Sequence, residues 1–207
     1  GAVIATRGTH GRGSHMLALS ANGGRVAVAN VSDGTISILE PGGADSAVVV
    51  PVARAVEGIA LTPDGRQAWV GSNRDSIVVV VDLAARRSLD SLRGFGLPYR
   101  LAVSPDGRIA VVSDPERGEV RAFDAVNRRA RWTLVVPRDS LVATAEVPGS
   151  PSPEGVAISR DSRWVFVTLQ GRNRLATIDL SRGRLVRLSP TGAWSDGVAF
   201  SPVSVTR

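Results

Sequence analysis

The chain has 207 residues, 43% of them hydrophobic and 21% charged, which suits a folded domain able to bury a substantial core. It carries no cysteine, so disulfides and thiolate chemistry are excluded. No apolar stretch approaches the roughly 20 residues a membrane helix needs. The formal charge is +6, and all 25 basic residues are arginine.

Residues 1–13, GAVIATRGTHGRG, fit only one strand, the outermost of a preceding structural unit. A motif of apolar, Ala, apolar, then Ser or Thr opens at Leu17-Ala18-Leu19-Ser20. It returns as Ile59-Ala60-Leu61-Thr62, Leu101-Ala102-Val103-Ser104, Val156-Ala157-Ile158-Ser159 and Val198-Ala199-Phe200-Ser201. The steps between hydroxyl residues are 42, 42, 55 and 42. A second landmark keeps phase: Glu40, Asp82, Asp124 and Asp179 each stand twenty places after their hydroxyl. Even Gly13-Ser14-His15-Met16, which looks like a cloning remnant, falls in phase with Val56-Glu57-Gly58 and Pro153-Glu154-Gly155, and is read as native.

The second unit shows the expected elements most plainly. Short runs rich in Val and Ile, bounded by turn residues, predict strands over Gly58–Thr62, Gln67–Gly71, Ser76–Asp82 and Arg87–Leu92. Between the first two lies Pro63-Asp64-Gly65-Arg66, where Pro presets φ, Asp bonds nearby backbone and Gly accepts positive φ. No segment carries a helical period of useful length. The third unit holds 13 extra residues within 136–152, an insertion expected to hang over the same end of the unit as Glu154, as a lid, a partner-binding flap or a tolerated surface loop. The units therefore span 14–55, 56–97, 98–152 and 153–194, with partial ones at 1–13 and 195–207.

Four antiparallel strands in about 40–45 residues is the size of one propeller blade. A single blade cannot cover both its faces, so blades stack radially around a channel. The expected fold is an all-β β-propeller of four-stranded antiparallel blades on a 42-residue repeat, four full and two partial, forming a fragment of a larger ring.

The segments ALTPDGRQAWVGSNRDSIVVVVDLAARR and AVSPDGRIAVVSDPERGEVRAFDAVNRR resemble YVTN-type β-propeller repeats, the group that includes YncE-like proteins. The literal Tyr-Val-Thr-Asn is absent. Its positions hold Val28-Ala29-Asn30, Val70-Gly71-Ser72, Val112-Ser113-Asp114 and Val167-Thr168-Leu169. The resemblance implies a seven-bladed ring, a bacterial source and an extracytoplasmic setting, periplasmic or secreted. It names no cofactor.

Ligand sites on propellers use loops at one mouth of the channel. Five places before each hydroxyl stand His15, Glu57, Tyr99, Glu154 and Asp196, predicted to form an arc around that mouth. One imidazole, one phenol and three carboxylates could bind a ligand, and His15, Glu57, Glu154 and Asp196 could hold a cation. The plainer alternative is that they are solvated loop residues. Arg25, Arg66, Arg86, Arg87, Arg108, Arg128, Arg129, Arg163, Arg182 and Arg184 map to turns on the opposite face, which predicts one basic rim. No stacking aromatics accompany them, and aromatics make up only 4% of the chain, so nucleic acid is not the expected partner.

Catalytic signatures are absent: there is no Gly-x-Ser-x-Gly elbow, phosphate loop or His-Glu-x-x-His. The two histidines, His10 and His15, lie five places apart with nothing in the spacing to suggest a triad. The expected function is a non-catalytic binding or scaffold propeller that presents its mouth to a protein, glycan or small ligand. The rival is an enzyme, since related propellers include lactonases and metal- or quinone-dependent oxidoreductases.

Overall fold

In a computed structural model, residues 1–43, 46–139, 141–142 and 147–201 are described. Among the described residues sixteen strands form four antiparallel four-stranded sheets, each a meander of strands consecutive in the chain. The first holds β1 (Ser14–Leu19), β2 (Val26–Asn30), β3 (Thr35–Leu39) and β4 (Val48–Pro51). The second holds β5 (Val56–Leu61), β6 (Gln67–Ser72), β7 (Ile77–Asp82) and β8 (Arg87–Leu92). The third holds β9 (Leu101–Val103), β10 (Ile109–Asp114), β11 (Glu119–Asp124) and β12 (Ala130–Val135). The fourth holds β13 (Pro153–Ile158), β14 (Trp164–Leu169), β15 (Arg174–Asp179) and β16 (Arg184–Pro190), with one short 3-10 turn at Gln170–Arg172. Strand limits in the second unit match expectation to within two residues.

The first strands of successive sheets lie side by side, β1 against β5, β5 against β9 and β9 against β13. The sheets stack face to face, and a separate apolar core fills each of the three gaps. Strand periodicity decides which gap a residue serves. In β7, Val79 and Val81 pack toward the first sheet with Ile36 and Ile38, while Val78 and Val80 pack toward the third with Phe95 and Phe123. All four valines are buried, each burial stabilising by about 1.5–3 kcal/mol. The arrangement is propeller-like: flat modules, alike in sequence, share a row of inner strands.

The repeated landmarks are turn locks. Ser20, Thr62, Ser104 and Ser159 each donate to the side chain two places on, at Asn22, Asp64, Asp106 and Asp161. Each hydroxyl also accepts from the backbone N–H five places on, closing the first turn. The acidic landmark locks the third turn in the same way. Asp82, Asp124 and Asp179 accept backbone N–H groups two and three places on. The Ser181 hydroxyl and the Arg182 guanidinium hold the Asp179 carboxyl down at about 2. In the first unit Glu40 pairs instead with Arg25 at 2.9 Å. The second turn passes through one left-handed residue per unit: Gly34, Ser76, Gly118 or Asn173.

One strand each was expected in the flanking segments 1–13 and 195–207, and neither forms a strand among the described residues. The Thr9 carbonyl accepts from the Ser37 hydroxyl at 2.6 Å, and Arg7 donates to the Glu40 carbonyl at 3.1 Å. This segment therefore crosses the first sheet much as β4 crosses the second, where Val48 and Val50 share a core with Val79 and Val81. At the other flank, Phe200 stacks on Phe166 with ring centroids 6.0 Å apart. An outermost or innermost strand needs a paired neighbour to complete its ladder.

Candidate functional site at the inner-strand bulges

The predicted arc rests on a shared backbone device. In the first, second and fourth units the inner strand slips register at one point: Ser14/Leu17, Val56/Ile59 and Pro153/Val156. Two residues there oppose one on the next strand, which is a β-bulge, and a bulge re-aims its side chains. The bulged pairs are His15-Met16, Glu57-Gly58 and Glu154-Gly155. In the third unit Tyr99-Arg100 plays the same part, because the Tyr99 N–H donates to the Ser113 carbonyl and the Ser113 N–H donates to the Arg100 carbonyl. Every arc residue of the four full units is therefore the first member of a bulge.

Neighbouring units hold these bulges from behind. The Glu154 carbonyl accepts from the Ser113 hydroxyl at 2.7 Å. The Asp196 carbonyl accepts from the Thr168 hydroxyl at 2.6 Å and from the Gly155 N–H at 2.9 Å. The fit is tight enough to require glycine: a Cβ on Gly58 would collide with the Tyr99 carbonyl, and one on Gly155 with the Asp196 carbonyl.

Three of the five predicted residues, Glu57, Tyr99 and Asp196, are joined by a group that was not anticipated. Arg100 Nη1 donates to Glu57 Oε1 at 2.9 Å, and Arg100 Nη2 donates to the Tyr99 hydroxyl at 3.1 Å. The same Nη2 lies 3.9 Å from Asp196 Oδ2. The guanidinium carbon sits 3.9 Å from the centre of the Tyr99 ring. One side chain thus ties the second unit, the third unit and the segment beyond the fourth. Asn73 Nδ2 donates to the other Glu57 oxygen at 2.6 Å, so both oxygens of that carboxylate are engaged. Glu154 is fully buried, and its Oε1 accepts from the Ser152 hydroxyl at 2.5 Å. Burial is the main cause that pushes the Tyr99 phenol up to about 12; Arg100 opposes it, while Asp196, Glu154 and Glu57 add to it. The phenol is therefore a neutral hydrogen-bonding group across the physiological range.

His15 is exposed and takes no part in this network. Among the described residues no group of three or more His, Asp or Glu side chains is placed to hold a metal ion, the set His15, Glu57, Glu154 and Asp196 included. The positive charge between Glu57 and Asp196 comes from Arg100 instead. A sequence signal for Arg100 existed. The position four places before the hydroxyl holds Gly58, Gly155 and Gly197, then Met16, and in the third unit alone a charged residue.

The described arms of the insertion lie against the turns between the second and third strands of the third and fourth units. Ser150 donates to the Pro115 carbonyl, and the 3-10 turn bonds both arms: Val142 N–H to the Gly171 carbonyl at 2.7 Å, and Gln170 N–H to the Ser152 carbonyl at 2.9 Å. Residues 140 and 143–146 of the expected lid or flap lie outside the described residues. On the opposite face several rim arginines are neutralised locally, with Arg182–Asp179 at 3.0 Å and Arg128–Asp90 at 3.3 Å. Among the described residues no helix is long and apolar enough to cross a membrane.

No family model matches the chain, and no curated protein matches it. Among solved structures it is similar to a hydrazine synthase of Kuenenia stuttgartiensis, with a TM-score of 0.55 and 15% sequence identity over 98% of this chain and 94% of that one. At that identity the likeness speaks for the fold alone.

Proposed function

We propose that the protein is a non-catalytic binding or scaffold propeller whose mouth, formed by Glu57, Asn73, Tyr99, Arg100 and Asp196, engages a protein, glycan or small ligand. The observation that carries this reading is the Arg100 bridge. A half-buried arginine, stacked on a tyrosine and held by a carboxylate, is the preorganised anchor that dominates binding surfaces. The enzyme reading lacks such support, because the one histidine expected at the mouth stands apart, and the hydrazine synthase likeness concerns fold.

The four units belong, on this reading, to a larger ring of YVTN type, seven-bladed as the resemblance implies, in an extracytoplasmic setting. Its support is the exposed apolar face of β1, where Leu17 and Leu19 stand uncovered.

The test is to probe a glycan array and a displayed peptide library with the full chain and with its Arg100→Ala and Tyr99→Phe variants. Bound probes should lose about tenfold in affinity on Arg100→Ala, the loss expected of an interface anchor. Probes that bind all three proteins equally would move the site elsewhere on the molecule.

A further inference from the structure

Each sheet is an antiparallel meander, so its first and third turns lie at one end and its second turn at the other. The ends that carry the first and third turns join into one face, opposite the inner-strand bulges. The first unit bonds the second through the Ala21 N–H to the Pro63 carbonyl at 3.1 Å and Arg25 Nη1 to the Gly65 carbonyl at 2.9 Å. Arg128 of the third unit meets Asp90 of the second at 3.3 Å. The Asp106 N–H of the third unit donates to the Ser162 hydroxyl of the fourth at 3.3 Å.

Acids and arginines of this face are used differently. Asp64, Asp106 and Asp161 accept the backbone N–H two places on, and Asp82, Asp124 and Asp179 lock the third turns. Each carboxylate is thus committed to its own turn. Arg86, Arg87, Arg108, Arg129, Arg160 and Arg184 are exposed, and among the described residues none of their guanidinium groups pairs with a carboxylate. The tips of two third turns add uncovered apolar groups beside them. Ala84 and Ala85 precede Arg86 and Arg87, and Val126, 72% exposed, stands three places before Arg129.

We propose that this face docks on an anionic lipid bilayer, which leaves the inner-strand bulges turned toward solvent. Guanidinium groups match the geometry of headgroup phosphates, and each arginine held near an anionic surface adds to its attraction. An apolar tip among arginines suits the boundary between headgroups and acyl chains. Val126 is what favours a bilayer over a nucleic acid, which would reward the arginines alone.

The test is co-sedimentation of the full chain with vesicles of phosphatidylcholine, alone or mixed equally with phosphatidylglycerol. Two variants of equal net charge are compared with the parent: Arg87→Glu/Arg129→Glu/Arg184→Glu on this face, and Arg74→Glu/Arg93→Glu/Arg138→Glu at the other end. All six residues are exposed, and Arg129→Glu alone decides the matter should the first triple fail to fold. The parent should bind the mixed vesicles and not the neutral ones, and salt should weaken the binding. The first triple should lose about tenfold or more in partitioning, while the second stays within about twofold of the parent. Val126→Ser should weaken vesicle binding and leave retention on a heparin resin unchanged. Equal losses in the two triples would overturn the proposal, because net charge alone would then account for binding. Retention on heparin without vesicle binding would overturn it too, in favour of a soluble polyanion.

Discussion

The first and second inner strands carry the same repeat and meet different fates. Ile59 and Leu61 in β5 are 6% and 8% exposed, whereas their counterparts Leu17 and Leu19 in β1 are 63% and 56% exposed. The residues are chemically alike, and the backbone bulges at the same point. What differs is the neighbour. β5 lies against the first sheet, whose Ala27, Ala29, Ile36 and Ile38 are small or β-branched and close over it. In this fold a blade's apolar face becomes core only when another sheet supplies the other half. Stability thus resides in the gaps between units as much as in the sheets themselves.

The largest expected contrast is in truncation. Ile59→Ala or Leu61→Ala should each cost about 2–4 kcal/mol, as buried large-to-small changes do. Leu17→Ala and Leu19→Ala should stay within about 0.5 kcal/mol of the parent. Urea denaturation measures both, and equal costs in β1 and β5 would break the comparison. Gly58→Ala should come next, at about 1–3 kcal/mol, since its Cβ meets the rigid Tyr99 carbonyl. The matching position in the first unit already carries Met16, so Met16→Ala should lose only packing at a partly buried site.

Turn locks sharpen the contrast by not showing it. Ser20→Ala and Thr62→Ala remove hydrogen bonds made within a unit, so each should cost about 1 kcal/mol whether or not a neighbour covers the sheet. A difference between them would mean that the turns, too, depend on the adjoining unit.

The smallest effect is in acid. The Thr62 hydroxyl, donating to Asp64, holds its carboxyl below the usual range, whereas the first unit has the non-titrating Asn22 in that place. A depressed carboxylate stabilises the fold above its unfolded value, about 3.9, and that contribution fades as pH falls through the folded value. Asp64→Asn should therefore flatten the decline in urea midpoint between pH 5 and pH 2, approximately, and Asn22→Asp should steepen it.

Much of the fold was legible because its landmarks are structural necessities. Ser20, Thr62, Ser104 and Ser159 recur since each closes a turn, and Asp82, Asp124 and Asp179 recur for the same reason. The positions of the bulged residues follow the repeat for a related reason, because a bulge keeps its place in it. Their partnership was not legible. Arg100 reads in sequence as one more polar loop residue, and its reach to Glu57 and Asp196 depends on how closely three inner strands lie, a distance no spacing encodes. His15 shows the converse: in phase with the others, it is exposed and takes no part in the Arg100 network.

The long connection before β13 has one more consequence. Both of its arms return to the same short turn at Gln170–Arg172, so whatever lies between them begins and ends at fixed points. Its length can change without displacing the sheets on either side. The molecule therefore offers a natural grafting point: a foreign peptide spliced between the arms would be displayed from the turn at Gln170–Arg172.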